Sequence, residues 1–128
     1  MNDILRRVNT STHVAVEVMM NNAALIINLR ELLIILMHNR TLCERSADAL
    51  RYCREHIIEN EISVGIYGEY REVIEQLHYL SNKDNRDAPD DLLRSGGDLL
   101  LSILLLYDRL VADIAVAEYL HQNNKFYF

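Results

Sequence analysis

Two tetrapeptides in this chain have the spacing of metal-binding pairs. Glu75-Gln76-Leu77-His78 and Glu118-Tyr119-Leu120-His121 both read Glu-x-x-His. On a helix, residues three apart share a side, so each pair would offer one carboxylate and one imidazole to the same ion. Two such pairs on facing helices, completed by one Glu from each of two further helices, hold a pair of iron or manganese ions. Glu17 or Glu31 and Glu55 or Glu59 are the carboxylates available for that role.

The order of the ligands speaks against this chemistry. A ferritin-like bundle takes its ligands in the order Glu, Glu-x-x-His, Glu, Glu-x-x-His. Here both pairs fall in the second half of the chain. Glu75 and His78 belong to the polar side of their helix, next to Arg71, and only Glu118 and His121 lean toward an apolar seam. The chain is therefore read as having no metal site and no cofactor, with a ferritin-like metal-binding bundle as the alternative.

The remaining nucleophiles and bases do not assemble into a catalytic set. His13 falls near a helix start, His38 near a helix end, where it complements the dipole, and His56 in a charged stretch. No Ser/His/Asp or Cys/His arrangement follows from the spacing, so the expectation is that the protein is not an enzyme. Cys43 and Cys53 are ten residues apart. On one helix that is about 15 Å, and a disulfide tolerates at most about 7 Å between Cα atoms. Reduced thiols are expected, as in a reducing compartment. Met19, Met20 and Met37 are read as core filler.

Bulk properties narrow the class. The chain has 128 residues, half of them hydrophobic, and a formal net charge of −6. The arginines are scattered, which argues against a nucleic-acid partner, since phosphate contacts need clustered basic residues. The start, MNDILRRVNTSTHV, carries no apolar run after its charges and is not read as a secretory signal. A bilayer span needs about 20 apolar residues. The uncharged stretch from Val18 to Leu29 is shorter and contains Asn21, Asn22 and Asn28. The expectation is a soluble, intracellular protein of cytoplasm or nucleus, with no membrane span.

The elements that would position these residues read as helices throughout. There is one proline, there are four glycines, and no hairpin signal stands out. The spacing predicts a single helical domain over 1–128, with an arm over 1–10 and a tail over 122–128. A first helix is expected from Ser11 or Thr12 to about His38, with Val14, Val18, Leu25, Ile26, Leu29, Leu32, Leu33 and Leu36 at helical intervals. Thr41-Leu42-Cys43-Glu44 has the form of a capping box and opens a second helix ending near Asn60. Ser63 opens a third, with Ile66, Tyr70, Val73, Leu77 and Leu80 on its inner face. A polar loop follows over 81–87. Pro89, Asp90 and Asp91 suit a helix start. The pair Gly96-Gly97 is expected to break that helix, with Asp98 capping a restart and a main fourth helix running to about His121.

The fourth helix poses the central question. From Leu99 to Leu106 every position except Ser102 is apolar. Leu100, Ile103, Tyr107, Leu110, Ile114, Ala117 and His121 make a coiled-coil-type seam, and other leucines are left over. Between Ala23 and Met37 only Asn28, Arg30 and Glu31 are polar. A helix apolar on all sides must be covered on all sides, yet in a four-helix bundle each helix buries one stripe.

The sequence thus predicts an all-α bundle of four main helices plus a short helix before Gly96. It points to a non-enzymatic structural or adaptor subunit of a homo- or hetero-oligomeric assembly, with a protein partner. Binding is expected through the first and fourth helices and the aromatic C-terminus, with Leu99, Leu101, Leu105, Tyr107, Phe126, Tyr127 and Phe128 as the contact residues. Richness in Asn, Ile and Leu also suits a small viral structural protein. A small-ligand-binding regulatory bundle is a further alternative, and a pocket beside Gly96-Gly97 would be its signature.

Overall fold

Thr41 caps a helix as its sequence context predicts. Its hydroxyl accepts from the backbone N–H of Glu44 at 3.2 Å and donates to a Glu44 carboxylate oxygen at 2.9 Å, and helix α2 (Leu42–His56) follows. Arg40 also reaches that carboxylate, at 2.8 Å, so Glu44 ties the preceding turn to the helix start. The computed structural model describes the backbone of residues 2–83 and 89–126 and the side chains of 16–83 and 89–123. The other helices are α1 (Asn2–Leu36), α3 (Val64–Ser81) and α4 (Pro89–Phe126). A single 3-10 turn, Glu59–Glu61, joins α2 to α3. No strand occurs among the described residues, and the all-α expectation holds.

Several boundaries differ from the expectation. α1 begins at Asn2, so the stretch over 2–10 is helical rather than an arm, and α4 runs to Phe126 through most of the expected tail. α2 ends at His56 instead of near Asn60, because Ile57 and Ile58 turn to extended backbone and Ile57 is buried. The expected break at Gly96-Gly97 is absent, and α4 passes through both glycines as one helix of 38 residues. A Cβ on Gly96 would lie 3.3 Å from a Leu42 methyl. That glycine marks a close approach of α4 to the start of α2 rather than a chain break. Residues 84–88, most of the expected polar loop, lie outside the described residues.

The helices alternate in direction around a ring, each packing on its sequence neighbours, with α4 returning to α1. Cross-links fix the register. Tyr52 donates to the Asn28 side chain at 2.8 Å between α2 and α1, and the Cys43 thiol donates to the Ser81 carbonyl at 3.0 Å between α2 and α3. Arg109 pairs with Glu69 between α4 and α3, and Arg30 donates to the Tyr107 hydroxyl at 2.8 Å between α1 and α4. The core is one cluster. It includes Leu25, Leu29, Leu32 and Leu36 from α1, Ala49, Leu50 and Cys53 from α2, Tyr70, Val73, Ile74 and Leu77 from α3, and Leu99, Ile103, Leu106 and Leu110 from α4.

The helices differ greatly in length. At about 1.5 Å per residue, α1 and α4 extend roughly 50–57 Å, whereas α2 and α3 reach only about 22–27 Å. Among the described side chains, buried positions on α1 begin at Asn22 and those on α4 end at Leu110. The four-helix section therefore occupies about half of the long pair.

Candidate functional site

The Arg30–Tyr107 contact is the centre from which an exposed apolar face of α1 and α4 can be traced among the described residues. The Arg30 guanidinium lies 5.7 Å from the Tyr107 ring centroid as well as donating to its hydroxyl. Residues three or four apart share a helix side. On α1 that brings Ile27 and Ile34 beside Arg30, and on α4 it brings Leu104 and Val111 beside Tyr107, with Leu100 one step further. All five are exposed, Ile27 at 60%. Met20 and Val16 carry the α1 stripe outward, and Leu101 and Leu105 carry the α4 stripe around the side away from the core. Isolated exposed leucines are ordinary. A connected apolar face on two adjacent helices is not, because soluble monomers rarely expose such a patch beyond a few hundred Å².

The expected partner-binding residues divide. Leu101 and Leu105 are on this face, exposed at 55% and 59%. Leu99 is not: it is 1% exposed and packs in the core, so its assignment to the partner surface is corrected. The seam is Leu99, Ile103, Leu106 and Leu110 instead of one starting at Leu100. The reason is tertiary packing: over a run apolar at nearly every position the neighbouring helices select the inward side, and Leu99 turns inward while Leu100 is left exposed. Tyr107 is half-buried at the edge of the face, as the Arg30 contact requires. The side chain of Phe126 and residues Tyr127 and Phe128 lie outside the described residues.

The first helix is expected at the interface, but Val16, Ile27 and Ile34 are not distinguished by the sequence, and Met20 and Met37, read as core filler, are exposed. The signal of the α1 half of the face is a second stripe at spacings of four and seven, beside the core stripe Leu25, Leu29, Leu32 and Leu36. By length and mean hydropathy alone (1.5 over Val16–Leu36), this part of α1 is apolar enough to cross a membrane. In the fold its inner stripe packs against α2 and α4 as a bundle helix does.

The two Glu-x-x-His pairs are far apart. Glu75 lies beside Asp98 in the cleft between α3 and α4. Glu118 is twenty residues further along α4, roughly 30 Å away along the helix. No group of three or more His, Cys, Asp or Glu side chains suited to an ion occurs among the described residues. Cys43 and Cys53 both lie on α2, unbridged. Burial pushes the Cys53 thiol up to about 11, and the Tyr70 hydroxyl beside it, raised by its own burial, offsets this slightly through a hydrogen bond. A buried thiol held protonated is a poor nucleophile.

A separate cavity of about 470 Å³ opens where the end of α1, the start of α2 and the first turns of α4 meet. Leu36, Leu42, Leu92, Leu93, Leu99 and Leu100 line it, with Gly96 and Gly97 on one side and Arg45 as the one charged residue among the described lining residues. Comparison of the chain with protein-family models, with curated proteins and with solved structures finds no match.

Proposed function

We propose that this protein is a non-enzymatic helical interaction module, a structural or adaptor subunit of a protein assembly, acting inside the cell. The observation that carries the reading is the apolar face on α1 and α4 around the Arg30–Tyr107 pair. Burying an exposed Leu or Ile side chain is worth about 1.5–3 kcal/mol, so a face with Ile27, Ile34, Leu101, Leu104 and Leu105 has ample driving force for association. Aromatic and arginine groups inside such a face act as anchors and set register. The net charge of −6 disfavours nucleic acid as the partner. We read Val16–Leu36 as a bundle helix with an outer protein contact, not a membrane span.

Light scattering behind a sizing column, on the untagged chain at several concentrations, tests this. A dimer or larger species that the double variant Ile27→Glu, Leu104→Glu converts to monomer supports self-assembly through this face. Aggregation of the wild type, cured by the same double variant, supports a different protein as the partner. A concentration-independent 14.9 kDa monomer, unchanged in behaviour by the double variant, overturns the reading.

A further inference from the structure

The cavity beside Gly96 carries an inference of its own, on a site that shares Leu100 with the outer face and is otherwise built from other residues. Its volume of about 470 Å³ falls in the range of small-ligand sites, roughly 300–1,000 Å³, whose walls are mostly apolar with a few placed polar groups. Here six leucines form the wall and one guanidinium supplies the polar group.

That guanidinium is distinguished from its neighbours. Arg40 is paired with Glu44 and Asp48, at 2.8 and 2.6 Å, and Arg51 with Asp48 at 3.1 Å. Arg45 has no carboxylate partner among the described residues. Its Nη1 donates to the Leu36 carbonyl at the end of α1, at 2.5 Å, and its Nε–H is buried with no acceptor among the described residues. A cation next to an apolar wall, with a donor left unmet, is costly unless a counter-charge arrives. Asp90 and Asp91, in the first turn of α4, are exposed and do not line the cavity.

The two glycines fit the same picture. Each costs about 1 kcal/mol relative to alanine inside a helix. Gly96 has a packing reason, the Leu42 methyl at 3.3 Å, whereas a Cβ on Gly97 would meet nothing within 4 Å. Gly97 has no close neighbour to avoid, and its missing side chain leaves the cavity's edge open.

We infer that this cavity binds a medium-chain alkyl carboxylate, with the chain among Leu36, Leu42, Leu92 and Leu99 and the carboxylate on the Arg45 guanidinium. The carboxylate supplies the charge and acceptor that Arg45 does not find among the described residues, and the alkyl chain replaces water against the leucines.

Calorimetric titration of the full chain with dodecanoate, below its critical micelle concentration, tests the site, with dodecanol as the neutral probe. Saturable binding of about one dodecanoate per chain is expected. Arg45→Met, which keeps the length of the side chain and removes its charge, should weaken dodecanoate about tenfold or more and leave dodecanol unchanged. Circular dichroism confirms that the variant is folded. Ile27→Glu, on the outer face, should leave both affinities as they were. Absence of saturable dodecanoate binding overturns the inference. So does equal dodecanoate affinity in a folded Arg45→Met protein, or loss of binding in Ile27→Glu, which would place the alkyl chain on the outer face.

Discussion

Ser46 and Cys53 show how far single side chains depend on their surroundings in this bundle. Ser46 is fully buried on α2, and its hydroxyl has no hydrogen-bond partner among the described residues. An unmet buried hydroxyl costs about 1–3 kcal/mol, and alanine is the better helix former. Ser46→Ala should therefore raise stability by about 1 kcal/mol, read as a shift in the urea midpoint at constant slope. A loss of stability would mean that the hydroxyl has a partner in solution. Cys53 has its pKa raised from 9.0 to about 11 by burial. The folded state thus favours the protonated thiol, and the unfolded state releases that proton first. Its contribution is complete below about pH 9 and is lost as pH rises toward 11. Tyr70 is shifted the same way and adds to the alkaline loss. Urea midpoints across this window should fall steeply for the wild type and less steeply for Cys53→Ala. Alkylation at neutral pH should modify the half-buried Cys43 well before Cys53.

At the scale of elements, α4 is the informative helix. A glycine pair followed by Asp98 has the form of a stop and a restart, yet the helix continues through it. Leu99, Ile103, Leu106 and Leu110 are buried after the glycines, Leu92 is half-buried before them, and packing on α1 and α3 outweighs the glycine cost of about 1 kcal/mol each. The two positions should respond differently to alanine. Gly97→Ala meets open space and should stabilise by about 0.5–1 kcal/mol, while Gly96→Ala presses on the Leu42 methyl and should gain less or nothing. Thermal unfolding of the two single variants checks this, and a destabilising Gly97→Ala would argue for a broken helix at that point.

At the scale of the molecule, the inner and outer leucines of α4 should separate by property. Leu106 is buried in the core and Leu105 is exposed beside it. Leu106→Ala should cost about 2–5 kcal/mol, with association lost only as the fold is lost. Leu105→Ala should change the stability of the isolated fold by less than about 0.5 kcal/mol and weaken assembly at concentrations where the wild type associates. Denaturation and light scattering on the same two samples measure both halves. If both variants behave alike, the outer face is not a contact surface.

The helical class was determined by the sequence alone, as were the Thr41 cap, the Ser63 start and the inner stripe of α3 from Ile66 to Leu80. Each of these depends on spacing or on interactions within a turn or two, so local chemistry suffices. The surplus of apolar residues on the first and last helices was also legible, and with it the expectation of a partner. Only the tertiary structure decided which leucines turn inward. Where nearly every residue is apolar, a helical wheel has no preferred side, and the neighbours choose it. α1, α2 and α3 drew Leu99 and Leu106 into the core and left Leu100, Leu101 and Leu105 outside. The same packing set Ile27 and Ile34 beside Leu104, joined Arg45 to a leucine-walled cavity from three separate helices, and held Glu75 and Glu118 far apart. Those placements depend on contacts between residues distant in the chain, which spacing along one helix does not encode.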